Sequence, residues 1–401
     1  MERIRSLYRW SLIALPCGVL LLSGCATPRG RTVGPTSMQM AQESYAPEDQ
    51  LKVGIQVFHE GDISAKAMED QHSTGQIRQS EVQFMPYHLK KTLDQTGFWG
   101  EVRVVPENAL GLDVVVSGTV RSSNGEELVL DVQVTDSLGY VWIDRVYRDR
   151  LGHPNYEEIE VGKRDPFQNI YNAIANDMAA VRRRMEPLQL KRLRRTTQLL
   201  FAADLLPDVY GAYVRKGENG KTELLRLPAE DDPMWIRVNQ ISTRNEMYFG
   251  ALNATYEPFY QELWRPYSDW RRYNMVERMS IRQARSDSMK QTAAGIIMIA
   301  AAILLEVNDV DNASTIRDVL VIGGSQVVIN GVNISKRADI HRETLRELSE
   351  SFSSDARTVR VQLEGQTVAL TGSVEEQMTQ WKDLLRRLYA EENVFPADEG
   401  E

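Results

Sequence analysis

The side chains best suited to nucleophilic or metal chemistry are few in this 401-residue chain: two cysteines and five histidines. Cys17 and Cys25 both fall in the first 25 residues, while His59, His72, His88, His153 and His341 are scattered. His59 and His72, with Asp62 or Glu69, come nearest to a metal-ligand set, but a polar loop is the ordinary reading of such a stretch. His-Glu-x-x-His, Gly-x-Ser-x-Gly and phosphate-loop patterns do not occur. Asp231-Asp232 before Pro233 reads as a turn and helix cap. Asp309, Asp311 and Asn312 lack the glycine and distal glutamate of an EF-hand. These observations assign no catalytic residue, no metal and no cofactor.

Two further clusters could bind rather than react. Arg182, Arg183, Arg184, Lys191, Arg192, Arg194 and Arg195 put seven cations in fourteen residues. Such a run is either a contact for an anionic surface or a solvated helix face, and the solvated face is the commoner case. Nine aromatics lie between Tyr248 and Tyr273, of which Tyr256, Tyr260, Trp264 and Tyr267 follow helical spacing. Rings can stack on sugars, and Arg265, Arg271 and Arg272 could pair with carboxylates, but a stripe at this spacing is more often packing core. Pro258 and Pro266 are expected to start or kink helices.

The bulk composition narrows the classes. Hydrophobic residues are 42% and charged residues 26%, which excludes disordered and collagen-like chains. The net charge of -9 argues against a general nucleic-acid binder, which needs excess cations for phosphates.

Arg3, Arg5 and Arg9 precede an apolar stretch, Ser11 to Leu22, that is too short to span a bilayer and has the length of a secretory core. Leu22-Ser23-Gly24-Cys25 follows and resembles the lipobox of bacterial lipoproteins. The resemblance implies cleavage before Cys25, a diacylglyceryl group on its thiol and an acylated amine. Ala26 stands where an aspartate would signal inner-membrane retention, which implies an outer-membrane anchor facing the periplasm. Loss of residues 1–24 removes three arginines and one glutamate, taking the net charge from -9 to about -11. Cys17 leaves too, so the mature chain keeps no free thiol. Several acyl chains together give stable attachment.

The elements that would position these residues divide the mature chain into four. Residues 25–48 are rich in Pro, Gly, Ser, Thr and Gln and read as a flexible tether. Residues 49–155 read as an α/β domain: strands at Leu51–Phe58, Glu101–Val105, Leu112–Val120, Leu128–Val134 and Tyr140–Tyr147, with a helix from Glu81 to Thr96. Residues 156–308 read as helical, beginning with Asp165 as N-cap and Pro166 at N1. Within them Thr292–Leu305, about 21 Å as a helix, is expected to be a buried helix rather than a span. Residues 309–395 read as a small α/β module. Strands are expected at Val319–Ile322 and Gln326–Ile329, a helix at Asp339–Phe352, a hairpin around Glu364-Gly365 and a helix at Val374–Tyr389. The expected class is α+β, with a mixed sheet first, helices in the middle and a small α/β unit last.

Two weak likenesses accompany this layout. The tethered lipobox, the first strand and helix, and Val116-Ser-Gly-Thr-Val120 resemble the periplasmic domain of the curli-secretion-channel lipoprotein and of lipoprotein activators of peptidoglycan synthases. Val359, Val361, Gly365, Val368, Leu370, Gly372 and Val374 resemble a BON domain, without its last strand. No pair of amphipathic hairpins for a membrane barrel is evident. The resemblances imply a non-catalytic accessory or scaffold of an envelope assembly or secretion complex, held to the membrane through Cys25, with an envelope protein as partner and oligomers open. A periplasmic enzyme or binder of cell-wall glycan, with the aromatic helix as platform, is the alternative.

Overall fold

The computed structural model describes residues 30–61, 75–151, 164–217, 219–287, 343–351, 358–363 and 365–391. Six strands make one mixed sheet: β1 (Gly30–Thr32), β2 (Val53–Gln56), β3 (Val102–Val105), β4 (Val114–Ser123), β5 (Glu127–Asp136) and β6 (Val141–Arg150). Their spatial order is β1-β6-β5-β4-β2-β3. β2 lies between β3 and β4 and is parallel to both. A parallel pair needs a long crossover, and α1 (Gly75–Thr96) lies in the β2–β3 connection. β4, β5 and β6 form the antiparallel meander that alternating valines predict. Gly125 and Gly139 turn its two hairpins at φ +79° and +81°, a region that favours glycine.

The longer helices after α1 among the described residues are α2 (Gln168–Arg182), α3 (Pro187–Leu205), α4 (Pro233–Asp287) and α5 (Val374–Glu391). At 55 residues α4 is about 82 Å long at 1.5 Å per residue. Pro258 and Pro266 lie inside it rather than at its ends. Each removes one backbone donor, but Tyr256, Phe259, Tyr260, Leu263 and Tyr267 bury their side chains around them, and such packing outweighs local propensity. The region expected to be mostly helical also holds a short hairpin, β7 (Val214–Lys216) with β8 (Thr222–Leu224). α2 starts two residues later than predicted, at Gln168 instead of Pro166. Asp165 accepts the Phe167 N–H at 2.8 Å and so closes the turn before the helix.

Near the C-terminus, β9 (Thr358–Leu363) and β10 (Gln366–Thr371) pair antiparallel, as the hairpin around Gly365 predicts. Residues 343–351 are helical. This unit packs on α4: the Trp381 indole donates to Asn245 at 3.2 Å and stacks on Tyr248 at 5.9 Å between ring centres. The class is therefore α+β, with the sheet, helical middle and small last module in the expected order. One apolar core runs through all three, from Val53 and Val116 through Ile174 and Tyr256 to Trp381. The expected strands at 319–322 and 326–329 and the expected helix at Thr292–Leu305 lie outside the described residues.

The tether reading needs correction. Residues 30–49 are laid against the body, not free of it. β1 pairs in parallel with Val146–Arg148 at the sheet edge, and Arg31 clamps both carboxylate oxygens of Asp177 at 2.7 and 2.9 Å. Farther on, Asn169, Asn172 and Asn176 of α2 take backbone groups of Thr36, Ser37 and Gln39. The segment buries little apolar surface of its own, so composition alone gives no sign of docking. Its hold comes from polar side chains of a helix 130 residues later. The opposite sheet edge is also closed, since the buried Asn253 amide of α4 bonds both Val104 N–H and Val104 C=O, at 2.9 and 2.8 Å.

Candidate functional site

A buried set of ionisable side chains sits where α1, the β4–β5 turn and α4 meet. Arg78 and Glu81, one turn apart on α1, are 1% and 0% exposed and pair at 3.1 Å. Glu81 also accepts the Ser123 hydroxyl at 2.5 Å and the Tyr267 hydroxyl at 2.9 Å. One helical turn beyond Tyr267, Arg271 grips Asp165 at 2.7 and 3.2 Å, with both side chains buried. Its guanidinium lies 4.1 Å from the Tyr267 ring centre.

Burial raises the Glu81 carboxyl above its usual 4.5, with Arg78 and the two hydroxyls pulling the other way. At Asp165 burial also pushes upward, but Arg271, His88 and the Phe167 N–H outweigh it and hold the carboxyl below 3.8. Desolvation disfavours any charge, so the number and geometry of ion-stabilising contacts decide the outcome.

His88 belongs to the same assembly. Its Nδ1 lies 2.7 Å from the Tyr260 hydroxyl and its Nε2 2.8 Å from Gln168 Oε1. The Gln168 amide nitrogen donates to Thr92 and Asn172, which leaves its oxygen facing the histidine. Nε2 therefore donates, and Nδ1 accepts from Tyr260 in the neutral ring. Burial lowers the His88 pKa below 6.5 and favours that neutral form, although Asp165 and Gln168 oppose the shift.

The turn that brings Ser123 to Glu81 leaves no room for a larger residue. A Cβ on Gly125 would lie 2.1 Å from the Arg271 carbonyl oxygen. Asn274 donates to the Asn124 carbonyl alongside, at 3.2 Å. Every feature of this cluster ties sheet to helices, and its ionic groups are shielded from solvent.

The aromatic stripe faces the same interior. Tyr248, Phe249, Tyr256, Phe259, Tyr260, Tyr267, Trp270 and Tyr273 are buried, and Trp264 is half-buried. Phe84 of α1 lies 4.8 Å from Tyr260 and 4.9 Å from Tyr267, between ring centres. The rings are packing surface, and Arg271, a candidate for substrate carboxylates by sequence, is held by Asp165.

The seven cations of the basic run split. Arg182 is buried, lies over the Tyr45 ring at 4.5 Å and donates to the Asp49 carbonyl at 2.6 Å. Arg183 donates to Gln39 at 2.7 Å, Arg194 to the carbonyls of Pro47 and Glu48, and Arg195 to Glu230 at 3.0 Å. Arg184, Lys191 and Arg192 are exposed. Three of the run's arginines therefore hold the strap 39–49.

Cys25, His72, His153 and His341 lie outside the described residues, as do Asp62 and Glu69, so the His59 and His72 pair is not assembled among them. Among the described residues no three His, Cys, Asp or Glu side chains converge as a metal site, and no helix is long and apolar enough to cross a membrane.

Sequence reasoning missed the joint of Arg78, Glu81, His88, Asp165 and Arg271. The Arg-x-x-Glu spacing at 78–81 was its one local sign. The other contacts join residues 42 to 186 positions apart. No family model, curated protein or solved structure matches this chain.

Proposed function

We propose that this chain is an outer-membrane lipoprotein facing the periplasm, anchored through Cys25, and a non-catalytic accessory or scaffold of an envelope assembly or secretion complex. The observation that carries the reading is Leu22-Ser23-Gly24-Cys25 directly after an arginine-rich start and a short apolar core. Its partners are then the membrane, through the lipid, and an envelope protein that reads the folded surface. Two features of the body weigh against its ionic and aromatic clusters serving as an open glycan platform. Its main ionic cluster is closed and internally paired. Its aromatic stripe is turned inward, away from any glycan.

Cys25→Ser tests the anchor. The variant is expected to lose labelling by a fatty-acid probe and to leave the membrane fraction or persist as uncleaved precursor. Unchanged labelling and fractionation would contradict the reading.

A further inference from the structure

Acylation of Cys25, proposed above, has a geometric consequence once β1 is placed. Gly30 is paired in the sheet and Arg31 is clamped to α2. Only five residue steps separate Cys25 from Gly30, and a chain spans at most about 3.6 Å per step. The sheet edge formed by β1 and β6 is therefore held within about 18 Å of the acylated residue, so the body cannot stand well clear of the bilayer. Whatever surface flanks that edge meets headgroups.

The strap leads from β1 along α2, touching Asn169, Asn176 and Arg183 in turn. It passes the basic turn between α2 and α3, where Arg184 is exposed. On the first turns of α3, Leu188 is 78% exposed, the largest exposure among the large apolar side chains described. Lys191 and Arg192 lie three and four residues on and share its face. None of the three cations has an ion-pair partner among the described residues. The nearest acid in sequence, Glu186, sits at the start of α3, where its backbone N–H donates to the Gln189 side-chain oxygen and its carbonyl accepts the Gln189 N–H, both at 2.9 Å.

An exposed leucine ringed by long cationic side chains suits a bilayer of negative headgroups: the apolar group enters between acyl chains while the cations stay at phosphate level. The short lead supplies the high local concentration that so small a contact needs. We propose that Arg184, Leu188, Lys191 and Arg192 form the face that lies on the anionic leaflet holding the lipid of Cys25. This orientation fixes the near end of α3 at the membrane. At the far end Asp204 contacts Lys382 and Arg386, about 24 Å from Leu188 along the helix.

The test uses the full acylated chain in vesicles. The mature chain carries no free thiol, so Leu188→Cys and, separately, Ala390→Cys on α5 each take one fluorophore. Quenching by bromine-labelled lipid is read in phosphatidylglycerol-containing and in purely phosphatidylcholine vesicles. The fluorophore at 188 is expected to be quenched several-fold more than that at 390 in the anionic vesicles. The difference should shrink at high salt and when Arg184, Lys191 and Arg192 all become glutamine. Equal quenching at the two positions, or quenching indifferent to the triple change, overturns the proposal. The mass of the N-terminal peptide from the same sample separates the two readings. With Cys25 acylated, equal quenching overturns the orientation alone; with no acyl group, both readings fall.

Discussion

Two buried carboxylates meet α4 one helical turn apart: Glu81 at Tyr267 and Asp165 at Arg271. Both face an arginine, and burial penalises both charges. Glu81 has one oxygen 3.1 Å from Arg78 and two hydroxyl donors, and it holds its proton more tightly than a free glutamate. Asp165 has both oxygens on one guanidinium and a backbone N–H besides, and it holds its proton less tightly than a free aspartate. A two-point arginine contact offsets desolvation; a single one does not. The difference assigns the two groups separate duties. Asp165 beside Arg271 favours its ionised form, and burial makes Glu81 the more readily protonated of the two.

The largest expected effect follows from removing the two-point partner. Arg271→Leu strands Asp165 inside the core and should cost about 3–5 kcal/mol in urea unfolding. Arg78→Leu should cost clearly less, because Glu81 can accept a proton instead. Equal losses would erase the distinction between the two carboxylates.

Gly125→Ala comes next. It adds a Cβ 2.1 Å from the Arg271 carbonyl at a backbone φ of +79°. The strain alone costs about 1–3 kcal/mol. A thermal melt matching the parent would mean the turn does not press on α4.

pH separates the two carboxylates further. The His88 pKa is lowered, so its contribution is complete above 6.5 and declines as pH falls toward the folded value. The slope is at most about 1.4 kcal/mol per pH unit. Glu81 has the opposite sign. Its pKa is raised, so its contribution is complete below 4.5 and declines as pH rises through the folded value. Asp165 is lowered, and its contribution is complete above 3.8 and declines as pH falls through the folded value. Urea midpoints at successive pH values should therefore fall more steeply below 6.5 in Glu81→Gln than in the parent, and less steeply in His88→Gln. Parallel curves for all three would mean neither group titrates differently in the fold.

The smallest effect belongs to the half-exposed cluster around Asp177, which takes Arg31, Arg145 and Tyr147. Arg31→Gln should cost about 1 kcal/mol or less, and the cost should shrink with salt. Proteolysis of residues 30–49 should rise with it, because Arg31 pins β1.

Legibility in the sequence tracked the distance over which a feature is encoded. The meander of β4, β5 and β6 was readable because apolar and polar residues alternate along β4 and β5 and Gly125 and Gly139 mark the turns. The hairpin at Gly365 and the helix from Val374 were readable for the same local reason. Asp165 reads as a cap, and it does close a turn, but its arginine lies 106 residues away, beyond any local pattern. The strap of residues 30–49 looked unattached because it carries few large apolar side chains, while its holders are asparagines of α2 and arginines of the basic run. A run of seven cations could not reveal which of them face inward. That depends on Tyr45 and the carbonyls of residues 47–49, which only the folded strap brings near.

The Glu81 and Asp165 joints are expected to weld sheet and helices into one folding unit, where the sequence pattern suggests separate domains. Hydrogen exchange across a urea series tests it most directly. Amides of β4 and β5 and amides of α4 near Tyr267 and Arg271 should become exposed at one common midpoint, and both should shift together in Arg271→Leu. Separate midpoints for sheet and helix in the parent protein would contradict the claim.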